Sequence, residues 1–201
     1  MKSTRTYNQT NRAAAAEETA RRITRAAFEL QTERLTADIS LEDIAARAGV
    51  SVQTVLRRFG SKAELFEASL VWINDQIAEE RRAPAGDVPT AIRVLMDHYE
   101  THGDFALLML AQENSYPHVR QMSDAGKRTH RAWVADVFGP QLHDLSPAAR
   151  EEATDLLVIA TDVYTWKLMR RDRGHSRAQT EHRMNTLVSA VLTAAADRKD
   201  T

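Results

Sequence analysis

The chain has 201 residues with 27 Lys/Arg, 28 Asp/Glu and no cysteine, so its formal net charge is −1. Disulfides, thiolate metal centres and a thiol nucleophile are excluded, and a reducing cytoplasm fits this composition. The longest apolar run, residues 105–111, is far too short to span a bilayer, and no secretory stretch opens the sequence, so no membrane contact is expected.

Charge is unevenly placed. Residues 1–62 hold 11 Lys/Arg against 7 Asp/Glu, and the remainder holds 16 against 21. A small basic domain joined to a larger acidic one suits a reader of nucleic acid coupled to something else. No segment alternates with period two over a useful length, so the whole chain is read as helical.

Residues 1–12 are polar, with Lys2, Arg5 and Arg12, and are expected to form a flexible basic arm. A first helix follows over 13–34, with Ala16, Ala20, Ile23, Ala27 and Leu30 as its buried stripe. Residues 40–48 read as a short helix. Ser40 is placed to cap it, Asp43 to reach back three residues, and Ile44, Ala45 and Ala48 give a face that another helix can cross closely. Gly49 then supplies a residue free to take positive φ, and Ser51 caps a second short helix. On that helix Val55 and Phe59 point to the core, leaving Val52, Gln53, Thr54, Arg57 and Arg58 outside. A polar, cationic outer face at this place suits a helix that enters the major groove of DNA.

The sequence continues Phe59-Gly60-Ser61-Lys62-Ala63-Glu64-Leu65, a second capping box with Lys62 in the first helical turn. A long helix is expected over 62–82, and residues 83–87 (Ala-Pro-Ala-Gly-Asp) break it as a linker. Later helices are expected at 89–102, 104–113, 117–138, 147–173 and 177–197. Ser146-Pro147 opens the fourth of these, and Ser176 with Gln179 opens the last. The helix over 147–173 is apolar on more than one side, with Leu156, Ile159, Ala160 and Val163 on one face and Leu157, Tyr164 and Leu168 on another. Two faces need two covers. A second copy of the chain, forming a four-helix bundle with the last two helices of each subunit, is one answer; burial of both faces within one subunit is the other.

Over about residues 18–70 the chain resembles the TetR family of transcriptional regulators, through the Gly-Val-Ser entry at 49–51, the aromatic Phe59 and the Ser61-Lys62 start of the next helix. The resemblance implies an all-α protein: an N-terminal three-helix helix-turn-helix DNA-binding domain over 13–62 and a larger C-terminal helical ligand-binding and dimerisation domain over 63–201. It further implies a homodimer built by the last two helices. Gln53 and Arg57 are candidates for reading base edges, and Thr54 and Lys62 for gripping phosphates. Ser40 and Ser51 divide between capping and phosphate, with Val52 and Arg58 on the same outer face. Two positions depart from the family: Leu56 stands where relatives carry a tyrosine that grips the backbone, and Gln53 where many carry glycine. An operator sequence therefore cannot be borrowed from a relative.

In relatives the later helices enclose a pocket for a small hydrophobic or amphipathic molecule, whose binding moves the two DNA-reading heads apart. The candidates here are Tyr99, His102, Met109, His130, Trp133, Asp162 and Trp166; a pocket lining and an ordinary core are both open readings of them. His98 and His102 stand one turn apart, a spacing open to a metal, but no carboxylate of matching register follows on that helix, so neither a metal nor a cofactor is expected. Phosphate loops, dinucleotide fingerprints and nucleophile elbows are absent from the sequence, and a non-enzymatic protein is expected. The expected function is a ligand-responsive repressor on a palindromic operator. A regulator without a small-molecule ligand, or an activator, is the alternative.

Overall fold

A computed structural model describes the backbone of residues 3–197 and, within it, the side chains other than those of residues 3–12, 75 and 118. The described residues form helices and no strand. They divide into two compact units, one ending at Asp75 and the other beginning at Gln76.

The first unit starts with α1 (Ser3–Glu33). This helix begins ten residues earlier than the expected start at 13, so residues 3–12 of the expected basic arm are helical; Met1 and Lys2 of that arm lie outside the described residues. Neither proline nor glycine interrupts the stretch, and the four alanines at 13–16 favour propagation of the helix towards the N-terminus. The buried stripe also starts later than expected. Ala16 is exposed, whereas Ala20, Ile23, Ala27 and Leu30 are buried.

A short 3₁₀ turn (Thr36–Asp38) leads to α2 (Leu41–Ala48) and α3 (Val52–Phe59). At the start of α2 the Asp43 N–H donates to Ser40 Oγ at 3.0 Å and the Ser40 N–H donates to Asp43 Oδ2 at 2.9 Å. This closed capping box contributes on the order of 1 kcal/mol. At the other end Gly49 sits at φ 65°, ψ 42°, its N–H directed to the carbonyls of Ala45 and Ala46, while the Val50 N–H donates to Ala45 O. Only glycine holds that left-handed angle without a Cβ penalty, so it sets the turn between the two helices. Arg22 of α1 donates to the Ala48 carbonyl at 3.2 Å, tying the end of α2 down. Ile23, Leu30, Ile44, Ala45, Val55, Leu65 and Phe66 close into one core, with Phe59 packed at its edge. The first half of α4 (Lys62–Glu80) is locked to α1 by Gln31, whose amide donates to Ser69 Oγ at 3.1 Å in a buried position.

The second unit contains α5 (Val88–Gln112), α6 (Pro117–Leu142), α7 (Pro147–Thr161), α8 (Val163–Lys167) and α9 (Arg177–Asp197). A π-helical turn (Leu168–Asp172) extends α8. Leu95, Met96, Tyr99, Val134, Phe138, Leu157, Trp166, Met184 and Val188 form a single core.

Three features differ from the sequence reading. The expected helices at 89–102 and 104–113 are one helix, because Gly103 does not break α5. A Cβ on Gly103 would lie 2.6 Å from the Trp166 indole, so this glycine makes room for a packed ring. The expected helix over 147–173 is divided at Asp162, whose backbone is extended (φ −70°, ψ 152°) and whose carboxylate accepts the Tyr164 N–H at 2.8 Å. The residue ends α7 and caps α8, the competition with helical bonding expected of aspartate. Finally, the 83–87 segment is no free linker: the Gly86 N–H donates to Val137 O at 2.7 Å and Gln141 donates to Gly86 O at 2.9 Å, fixing it to α6.

Candidate functional site

α3 is eight residues long and capped by Ser51, whose Oγ accepts the Thr54 N–H at 3.2 Å. Val55, fully buried, anchors its inner side. On the outer side Gln53, Leu56 and Arg57 share a stripe at three- and four-residue spacing, and all three are exposed. Val52 and Thr54 are half-buried on its flank, and Arg58 is exposed. The guanidinium of Arg57 has no hydrogen-bond or ion-pair partner among the described residues, and neither does the Gln53 amide. Arg58 is paired with Glu17 of α1 at 3.3 Å, but both side chains are solvated, so separating them costs little. The Ser51 and Thr54 hydroxyls lie 2.9 Å apart and bond each other.

The N-terminus of α4 follows α3 directly across Gly60 and Ser61. Lys62 opens α4 with its ammonium 5.5 Å from the centre of the Phe66 ring, a contact that orients the charge. The Asp43 carboxyl is held below its ordinary range first by the Ser40 N–H and hydroxyl, then by the nearby charges of Arg34 and Lys62. Ser40 and Lys62 therefore share one rim. The Ser40 hydroxyl, though, donates to Asp43 Oδ2 at 2.7 Å and is committed to the cap. The rim presents cations and helix N-termini, both suited to phosphate, beside a stripe carrying an amide, a guanidinium and an aliphatic group.

The second unit contains a polar cluster buried in apolar surroundings. Arg81, only 6% exposed, directs Nη2 to His130 Nδ1 at 2.8 Å and lies 4.7 Å from the centre of the Trp133 ring. Arginine can only donate, so His130 accepts at Nδ1 and carries its proton on Nε2, which faces Thr161 Oγ1 at 3.1 Å. Thr161 in turn donates to Leu157 O, and its own carbonyl accepts the Tyr99 hydroxyl at 2.8 Å. Trp133 donates Nε1 to the Arg81 carbonyl at 2.8 Å and stacks on His130. Burial, reinforced by Arg81, drives the pKa of His130 down to about 3 and that of His98 to about 2, so both are neutral. Burial and the Asp162 charge raise the Tyr99 phenol above its ordinary value, while Arg81 pulls it the other way. Among the described residues no carboxylate bonds Arg81, and its Nε has no partner. A buried, uncompensated cation is expensive.

Of the seven candidates for a ligand site, His130 and Trp133 thus meet at Arg81, and Tyr99 joins them through Thr161. Trp166 joins through its ring, 5.9 Å from that of Tyr99, and bonds Glu100 through Nε1 at 3.2 Å. His102 lies one ring further along, against His98. Asp162 is half-buried at the α7–α8 joint, and Met109 is buried. Sequence reasoning missed Arg81, which there looks like one more charge in the run Glu79-Glu80-Arg81-Arg82. The neighbouring Ala-Pro-Ala-Gly turn, which carries the chain inward to α6, was the only signal.

Residues 23–69 match the family model described as bacterial regulatory proteins, tetR family. No curated protein matches the chain. Among solved structures it is similar to a tetR-family transcriptional regulator from Streptomyces coelicolor (22% identity, 90% of this chain and 83% of that one, TM-score 0.72). It is also similar to a transcriptional regulator from Rhodococcus sp. Rha1 (20% identity, 87% and 96%, TM-score 0.67). A multidrug binding protein, EbrR, solved with imidazole, is a third (19% identity, 83% and 88%, TM-score 0.56). At these identities the three structures bear on the fold.

Proposed function

From the match of residues 23–69 to the tetR family of bacterial regulatory proteins, we propose that the chain is a regulator of that family: a dimeric, ligand-responsive repressor of transcription binding a two-fold symmetric operator. This reading sets it among DNA-binding regulators rather than enzymes. The observation that carries the reading is the α3 stripe: an exposed Arg57 and Gln53 with no partner among the described residues, on a short helix held from behind by Val55.

Arg57 forks to the O6 and N7 of a guanine and Gln53 to an adenine or another polar edge. Leu56, apolar and 40% exposed on the same stripe, suits a thymine methyl. Lys62 and the hydroxyls of Ser51 and Thr54 meet the phosphates, with Ser40 supporting the rim through its cap. Arg58 leaves Glu17 for the backbone, and Val52 packs beside it. Two such helices in a dimer, about 34–36 Å or slightly more apart, address successive major grooves. Leu156, Ile159, Tyr164, Leu168 and Leu187 expose large apolar side chains on α7, α8, the π-helical turn and α9, which favours a homodimer through the last helices.

The effector reading is supported by Arg81. A small amphipathic molecule with an acidic group would supply the counter-charge that the cluster of Tyr99, His130 and Trp133 lacks, while its apolar body packs towards Trp166. EbrR, described as a multidrug binding protein, has a similar fold. No helix among the described residues is long and apolar enough to cross a membrane; a regulator acting on DNA would work in the cytoplasm.

The test is selection from random duplexes followed by gel shift. A symmetric consensus bound by a dimer supports the proposal. Ile159→Glu with Leu168→Glu should give a folded monomer that loses the symmetric site, and retention of tight symmetric binding by that monomer would refute the dimer.

A further inference from the structure

The helical pair His98 and His102 lacks a carboxylate on its own helix, and the fold provides one from elsewhere. Glu80, the last residue of α4, reaches α5 and places Oε2 3.2 Å from His102 Nε2. One ligand atom from each of Glu80, His98 and His102 lies within 4.8 Å of the other two. The two imidazole rings are 5.2 Å apart. We propose that Glu80, His98 and His102 bind a divalent transition-metal ion of the zinc, nickel or cobalt kind.

A second observation points the same way. His98 is 8% exposed, and its Nδ1 is buried without a hydrogen-bond partner. Buried polar atoms are almost always satisfied, so an orphaned ring nitrogen in a cluster of potential ligands calls for an occupant. The three side chains also form a graded path from solvent: Glu80 is 50% exposed, His102 14%, and His98 is buried behind them. An ion bound there is reached from the surface through the carboxylate.

Geometry and donor chemistry narrow the ion. A tetrahedral zinc with bonds of about 2.1 Å holds its donors roughly 3.4 Å apart. The Glu80–His102 pair already meets that distance, and side-chain rotation brings in the third donor. Two imidazoles and one carboxylate favour zinc, nickel, cobalt or copper over magnesium and calcium, which select oxygen ligands. Imidazole binds metal in its neutral form, which burial maintains at His98. Arg81 is the cation that faces His98 and opposes the ion; the Glu80 carboxylate offsets it. Three protein donors leave a coordination position for water or for an exogenous ligand.

The experiment uses the full-length protein, freed of any histidine tag and stripped with EDTA. Cobalt(II) is titrated while visible absorption is followed, then displaced with zinc, and zinc binding is measured by calorimetry. One ion per chain is expected, with the intense visible bands of a low-coordinate cobalt site. His102→Gln and Glu80→Gln, both at partly exposed positions, should each weaken zinc by about tenfold or more. His143→Gln, an exposed histidine beside Asp144, should change nothing. Far-UV circular dichroism and melting confirm that each variant is folded. Absence of stoichiometric binding, or an affinity unchanged in both His102→Gln and Glu80→Gln, would overturn the proposal.

Discussion

The two compact units handle positive charge in opposite ways. In the first, Arg57 and Arg58 stand exposed, one without a partner among the described residues and the other in a solvated pair that is easily exchanged, and Lys62 is half-buried over the Phe66 ring. In the second, Arg81 is withdrawn from water, bonded to a neutral histidine and stacked on a tryptophan, with no carboxylate bonding it among the described residues. An exposed cation costs the fold almost nothing and waits for a polyanion. A buried one is a standing cost that only a discrete counter-charge relieves. One arrangement suits a long, repetitive partner such as a phosphate backbone, and the other suits a small molecule.

Acid should separate the units most strongly. His98 and His130 titrate at about 2 and about 3 in the fold, against an ordinary value of 6.5. Below pH 6.5 the unfolded chain binds protons that the fold refuses. Stability is therefore full above that pH and is lost as pH falls, by about 1.4 kcal/mol per unit for each histidine. In the first unit the lowered groups are carboxylates, Glu33 and Asp43, whose contribution persists until pH falls below about 4.5. Between pH 7.5 and pH 5 the fluorescence of Trp133 and Trp166, in a Trp72→Phe background, should report a falling melting temperature. A flat profile over that range would remove the buried-charge half of the comparison.

Packing gives the next effect. Gly103→Ala forces a methyl to within 2.6 Å of the Trp166 indole, and overpacking of this kind costs typically about 1–3 kcal/mol. Chemical denaturation should show the loss in the second unit alone. An unchanged midpoint would mean that Trp166 moves freely, and would weaken its assignment to a rigid core.

On DNA, Arg57→Ala should reduce affinity for a selected site by about ten- to a hundredfold, corresponding to about 1–3 kcal/mol, and relax preference at one base position. Lys62→Ala should act more weakly and uniformly, lowering the slope of log affinity against log salt by about 1. Arg58→Ala should leave folding stability within about 0.5 kcal/mol, since its pair with Glu17 is solvated. Fluorescence anisotropy at several salt concentrations measures all three.

Much of the first unit was legible because its signals are local. Ser40 with Asp43, Gly49, Ser51 and the buried Val55 each act within four residues, and the structure places them as their spacing implied. The second unit depends on contacts distant in sequence. Gly103 looked like a break because Trp166, 63 positions later, was not visible as its neighbour. Asp162 looked like part of one long helix because its capping of Tyr164 competes with an otherwise unbroken apolar pattern. Arg81 and Glu80 lie in a run of charges at a helix end that no local signal sets apart; only the fold shows one bonded to His130 and the other to His102.

The most direct measurement is selection of bound duplexes from a random pool by the intact protein and, in parallel, by Arg57→Ala. The intact protein should enrich a two-fold symmetric sequence, and the variant should enrich the same frame with one position per half-site no longer specified. No enrichment by the intact protein, or an identical consensus from both, would contradict the assignment of the α3 stripe as the surface that reads DNA.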